Sequence, residues 1–171
     1  MLKNKILPTV VLTSICIVVA LLLSVANIFT APLIEKAQKE KVAKALREVY
    51  SAGESFEAVD PTGKGLPESI AEVYSANDGG FVFKSVVRGY KDGLVIMVGV
   101  SPDGKITDSK YIESNETNGA EKTLNGAYNG MGAETLDNIV ISGSTKTSNA
   151  YKQAVTDSLS AYGILKGDSV K

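Results

Sequence analysis

No charged residue occurs between Ile6 and Ile34. About 20 apolar residues are enough to cross the hydrocarbon layer of a bilayer as a helix. A cleaved signal peptide is the alternative, but its apolar region normally covers only about 7–15 residues. The run here is longer, and Ser24-Val25-Ala26 resembles a cleavage site only weakly. The expectation is therefore a retained transmembrane helix within residues 1–32. Its orientation stays open on charge alone. Lys3 and Lys5 favour a cytoplasmic N-terminus, whereas Lys36, Lys39, Lys41, Lys44 and Arg47 lie just beyond the run and favour the opposite. A long C-terminal domain can be translocated in spite of such charges.

The rest of the chain is long enough for one domain with its own core, and too short for two. Over the whole chain 44% of residues are apolar and 22% charged, the composition of a globular protein, and the formal net charge of −1 provides no field to hold a polyanion. Nucleic acid is excluded as a partner on that ground. The sequence has no His, no Trp and a single cysteine, Cys16, inside the apolar run. Iron–sulfur and haem centres need more thiolates or an axial imidazole. A zinc site and a Ser-His-Asp device lack their ligands and base. No metal site and no catalytic residue is assigned. Redox chemistry in this chain requires an organic cofactor.

Leu33 to Tyr50 reads as a helix, with Ile34, Ala37, Ala45, Leu46 and Val49 able to share a face. Ser51 to Pro67 contains Gly53, Pro61, Gly63, Gly65 and Pro67 and reads as loop. Phe81–Val87, Leu94–Val100 and Lys105–Ile112 read as strands. Turns at Lys91-Asp92-Gly93 and Pro102-Asp103-Gly104 make them an antiparallel meander. Asn125 to Gly132 reads as a loop without a cofactor role, since it matches neither a P-loop nor a dinucleotide fingerprint. Leu136 to Ile141 reads as a short apolar strand. A last helix is expected from Asn149 to Tyr162, with Tyr151, Val155, Leu159 and Tyr162 on one face and Gly163 ending it.

Between that strand and that helix stands Ser142-Gly143-Ser144-Thr145-Lys146-Thr147-Ser148. A small-residue turn before a helix start makes an anion site, because the first N–H groups point outward and the dipole favours negative charge. Taken alone, the pattern favours the simpler reading of a capped helix start, Ser and Thr being the usual N-cap residues.

This segment resembles the Ser-Gly-Ala-Thr-x-Thr-Ser signature of FMN-binding domains. These domains are found in the G subunit of Rnf-type ion-translocating electron-transport complexes and in the C subunit of the sodium-pumping quinone reductase. Gly89-Tyr90, Leu94–Val100 and Asp103-Gly104-Lys105-Ile106 resemble the family's strand–turn–strand block. Asn115-Glu116-Thr117-Asn118-Gly119 is similar to its Glu-Thr-Pro-Gly element. The chain departs from the pattern at Ser144, where Ala is usual, at Ile139, where Asp is usual, and at Asn118, where Pro is usual.

The resemblance implies FMN joined through a phosphoester to Thr145 by a separate flavin transferase that uses FAD as donor. The hydroxyls of Ser142, Ser144 and Thr147 can then orient the phosphate, Gly143 lets the backbone approach it closely, and the resemblance puts Glu116 and Thr117 in the neighbourhood of the flavin. The implied fold is α+β: one N-terminal transmembrane helix, then a single FMN-binding domain with a twisted antiparallel sheet and flanking helices. The chain divides into an anchor segment (1–32), a membrane-proximal helix and loop (33–70) and the FMN-binding domain (71–171). The implied function is electron relay by a non-autonomous subunit of a membrane oxidoreductase coupled to Na+ or H+ translocation. Its partners are the other membrane subunits, the transferase and lipid, with the domain outside the cytoplasmic membrane. Two rivals remain: an anchored binding or scaffolding module of the same fold without flavin, and a stand-alone flavin reductase that binds FMN reversibly.

Overall fold

The computed structural model describes residues 3–168; the side chains of residues 3–9, 31–35, 38 and 168 lie outside that description. Helix α1 (Lys3–Val49) is followed by strands β1 (Phe56–Val59), β2 (Ile70–Ala76), β3 (Phe81–Val87), β4 (Leu94–Val100) and β5 (Ile106–Glu113), then by the short α2 (Ala120–Thr123) and the long α3 (Thr145–Asp168). Two compact units result, Met1–Val42 and Ala43–Lys171.

The first unit is helical throughout its described length. Its segment Val10–Thr30 is 21 residues long with a mean hydropathy of 2.5, and none of it is buried in protein. Leu22, Ile28 and Phe29 are among its exposed side chains. A helix apolar on every side is stable only when something apolar surrounds it, and this one is long and apolar enough to cross a membrane. The expected helix at Leu33–Tyr50 is present as the continuation of α1, which stops at Val49. Of its expected apolar face, Ala45, Leu46 and Val49 are buried and Ala37 is exposed. Ile34 lies among the side chains outside the description.

The second unit is a five-stranded sheet in the order β1-β2-β3-β4-β5, every neighbouring pair antiparallel. The α+β architecture expected from the sequence is the one observed. All seven residues of β4 are buried, which accounts for its continuous apolar run: a strand covered on both faces needs no polar alternation. One face carries Leu94, Ile96, Val98 and Val100 into a core shared with Ala150, Ala154, Val155 and Leu159 of α3. Behind the sheet, Thr107 Oγ1 on β5 donates to the Val49 carbonyl at 2.8 Å.

Four expectations need correction. The stretch Ser51–Pro67 is not all loop, because Phe56–Val59 pairs with β2 as an edge strand. Strand β2 has no counterpart among the expected strands. Leu136–Ile141 forms no strand. The sheet edge it would have joined is already taken: Gly126 N–H donates to Ser109 O, Gly130 N–H to Ile106 O, and Ile106 N–H to Met131 O, each at 2.8 Å. The loop 125–132 thus closes the edge of β5, a common way to protect unpaired strand groups. Leu136, Ile139 and Ile141 instead pack, partly buried, against the core. Finally, α3 begins at Thr145 rather than Asn149 and passes through Gly163 to Asp168. Tyr162 and Leu165 are both buried, and that packing outweighs the roughly 1 kcal/mol by which Gly disfavours a helix interior.

Candidate functional site

The start of α3 is built by polar contacts within the motif. Ser144 N–H donates to the Ile141 carbonyl at 2.9 Å, and Ser148 N–H donates to the Ser144 carbonyl at 3.0 Å. Ser144 is therefore the N-cap position, and the N–H groups of Thr145, Lys146 and Thr147 precede the first rung of the helix ladder. Gly143 has φ +78°, a left-handed turn that a side chain would strain. Ser148, fully buried, staples the turn from inside: its hydroxyl accepts from Ile141 N–H and donates to the Ser144 carbonyl, both at 3.0 Å.

A cleft of about 500 Å³ opens over this turn, lined by Tyr90, Thr117, Asn118, Gly143, Ser144, Thr145, Lys146 and Thr147. Thr145 is exposed, so its hydroxyl is available to another molecule. Ser144 is buried, and its hydroxyl accepts from Asn118 Nδ2. Asn118 also takes the Ala120 N–H on Oδ1 at 3.3 Å, which pins the segment before α2 to the N-cap of α3. Thr147 is 1% exposed and donates to Glu116 Oε2 at 2.5 Å. The other carboxylate oxygen, Oε1, accepts from Lys91 N–H at 3.0 Å. Glu116 thus joins three segments that are distant in sequence: the β3–β4 turn, the β5–α2 connection and the first turn of α3.

Of the residues singled out from the sequence, Thr117, Gly143, Ser144, Thr145 and Thr147 come together on the cleft wall. Glu116 sits behind the wall with both oxygens engaged, and Ser142 is exposed on the preceding turn without lining the cleft. Tyr90, Asn118 and Lys146 were not singled out, although each lies inside a segment that carried the resemblance. Lys146 is the charged side chain of the lining, and its ammonium stands 5.8 Å from the centre of the Tyr90 ring.

The cleft has the size of a cofactor site. Hydroxyls, unladdered N–H groups and one ammonium are the donors a phosphate ester requires, so the residues present fit FMN. Residues 89–160 match the model of the FMN-binding domain family. The G subunit of the Na+-translocating ferredoxin:NAD+ oxidoreductase complex of Acetobacterium woodii is 31% identical in an alignment of 166 positions that covers 86% of this chain and 80% of that protein. The chain belongs to the family of FMN-binding proteins typified by the Rnf G subunit. Its cofactor is FMN. The match to the FMN-binding domain takes in β4, β5, α2, the cleft and most of α3, and starts at Gly89, beside the tyrosine on the cleft rim.

Proposed function

We propose that this protein is an electron-transfer subunit of a membrane complex that couples redox to cation movement, carrying FMN as a phosphoester on Thr145. The observation that carries the reading is the placement of Thr145. It is the first residue of α3, it is exposed, and it stands on the wall of a cleft lined with hydroxyls, an amide and one ammonium. The similarity to one component of a Na+-translocating ferredoxin:NAD+ oxidoreductase supports the coupling to Na+ and the need for partner subunits. H+ is the alternative coupling ion.

In the attachment step Thr145 Oγ1 forms the new P–O bond to the FMN phosphorus of FAD. The pyrophosphate bond breaks, AMP leaves, and the hydroxyl proton passes to a base of the transferase. The N–H groups of Thr145, Lys146 and Thr147 and the helix dipole then hold the ester's negative charge. Ser142 and Gly143 leave the approach open. Ser144 and Thr147 keep the turn in shape through Asn118 and Glu116. Bound FMN supplies one- and two-electron redox chemistry that no side chain of this protein has. The covalent link keeps the carrier loaded on the extracytoplasmic side, where free flavin is dilute, and Val10–Thr30 holds the domain at the cytoplasmic membrane beside its partners.

The test is flavin fluorescence in a denaturing gel, for the full chain and Thr145→Ala, each co-produced with a flavin transferase. A fluorescent wild-type band and a dark mutant band are expected. A dark wild-type band, beside a transferase active on another substrate, refutes covalent attachment and favours the flavin-free binding module.

A further inference from the structure

The rim of the cleft opposite the α3 turn is formed by the β3–β4 hairpin, and its most prominent side chain is Tyr90, 62% exposed. Burial does not account for an aromatic ring in that position, since most of its surface faces solvent. Yet the backbone that carries it is tightly held. Gly89 N–H bonds to the Lys91 carbonyl at 3.2 Å, and Lys91 N–H bonds to Glu116 Oε1 at 3.0 Å. The Glu116 carboxylate lies so close to Gly89 that any Cβ there would collide with it. Through its second oxygen Glu116 holds Thr147. One carboxylate therefore fixes the hairpin to the helix turn that bears Thr145 and Lys146.

Tyr90 is also the one aromatic side chain of the cleft lining; the other members are hydroxyls, an amide, a glycine and Lys146. A flat heteroaromatic ring attached in this cleft has a single aromatic face to stack on. Aromatic rings favour such offset stacking, and tethering raises the effective concentration at which the two meet. The Lys146 ammonium now rests over the Tyr90 ring, a weak, solvent-exposed contact that a planar ring displaces easily. Once displaced, that ammonium remains beside the ring system, where positive charge stabilises an added electron.

We propose that Tyr90 is the stacking surface for the isoalloxazine ring and that Lys146 is the charge that raises its midpoint potential. The inference rests on the reading of Thr145 as the attachment point.

The experiment uses the full chain co-produced with a flavin transferase, with loading at Thr145 verified by peptide mass. Visible circular dichroism and flavin emission are then recorded for the wild type, Tyr90→Leu and Tyr90→Phe, and the midpoint potential for the wild type and Lys146→Gln. A ring held against an aromatic face shows induced dichroism. Its emission is quenched by electron transfer from tyrosine to the excited flavin and back. Tyr90→Leu is expected to stay loaded and folded, to lose the dichroic band and to gain several-fold in emission. Tyr90→Phe is expected to keep the band, and Lys146→Gln to lower the potential. A loaded Tyr90→Leu protein with wild-type dichroism and emission overturns the stacking role and leaves Thr145 as attachment point untouched, as does a Phe variant that behaves like Leu. An unchanged potential in Lys146→Gln overturns the charge role. A wild type left unloaded by an active transferase overturns this inference together with the function it rests on.

Discussion

Along α3 two surfaces meet that are fixed in different ways. From Ala150 to Leu165 the helix turns Tyr151, Ala154, Val155, Leu159 and Tyr162 into the sheet, and all of them are buried. Its first turn offers Thr145 and Lys146 to solvent and is held by hydrogen bonds to Asn118, Glu116 and Ile141. The body depends on volume and apolar area, which many side chains supply to a similar degree. The first turn depends on particular donors and acceptors, and a single changed group alters it. Stability should thus respond to the body, and flavin attachment to the turn.

The largest expected effect comes from Tyr151→Ala. The ring is fully buried and stacked on Tyr128 with centroids 6.1 Å apart. Its loss should cost about 3–5 kcal/mol in urea unfolding, the usual range for emptying an aromatic core position. Flavin loading should fall only in proportion to the unfolded fraction. Loading lost from a fully folded Tyr151→Ala protein would break the separation between body and turn.

Next comes Gly143→Ala, which forces a side chain into the left-handed region at φ +78°. A cost of about 1–2 kcal/mol is expected, with loading reduced far more than stability, because the turn that presents Thr145 is displaced. Equal and small effects on both would show that the turn tolerates distortion. Thr147→Val keeps the shape but removes the donor to Glu116, at about 1 kcal/mol. Hydrogen exchange should then rise at Lys91 N–H, since Glu116 loses the tie that aligns it.

Tyr50→Phe serves as a control away from the cleft. Tyr50 donates to Asp78 Oδ2 at 2.7 Å, and removing that bond should cost about 1 kcal/mol with no change in loading. The same contact makes a pH prediction. The Tyr50 hydroxyl, aided by the Gly80 N–H, holds the exposed Asp78 carboxyl below its ordinary range, against a slight desolvation that acts in the opposite direction. A carboxyl depressed in the folded state contributes stability that is fully present above its ordinary pKa and is lost as pH falls through the lowered folded value. Urea midpoints measured from about pH 6 to about pH 3 should decline less steeply in Asp78→Asn than in the wild type. An identical decline would remove Asp78 from the acid response.

The sequence spoke clearly where one physical requirement ruled. Strands β3, β4 and β5 are dense in β-branched and aromatic residues, and all three appear within a residue or two of the expected ends. The buried stripe of α3 was legible from its spacing. Strand β2 was hidden because its pairing slips between Ile70 and Glu72, and that irregularity spoils the alternation a half-buried strand would show. Strand β1, four residues long, lies beside the Gly and Pro residues that mark loops. Leu136–Ile141 misled because periodicity cannot tell a strand from an apolar cover when the neighbouring edge is already occupied.

For the site, the Ser-Gly-Ser-Thr segment pointed to the cleft, and the Asn115–Gly119 element to the lining residues Thr117 and Asn118. What stayed illegible was the division of labour. Only the fold shows that the Thr147 hydroxyl donates to Glu116, while that of Ser144 accepts from Asn118. Only the fold brings Tyr90, 55 positions before Thr145 in the chain, onto the same cleft.

The central claim is that one hydroxyl among five in the motif, that of Thr145, carries the flavin. The most direct measurement is peptide mapping by mass spectrometry of the full chain after co-production with a flavin transferase. The account predicts an FMN phosphoester on Thr145, with Ser142, Ser144, Thr147 and Ser148 unmodified. An adduct on any of those four, or none in the presence of an active transferase, would contradict it.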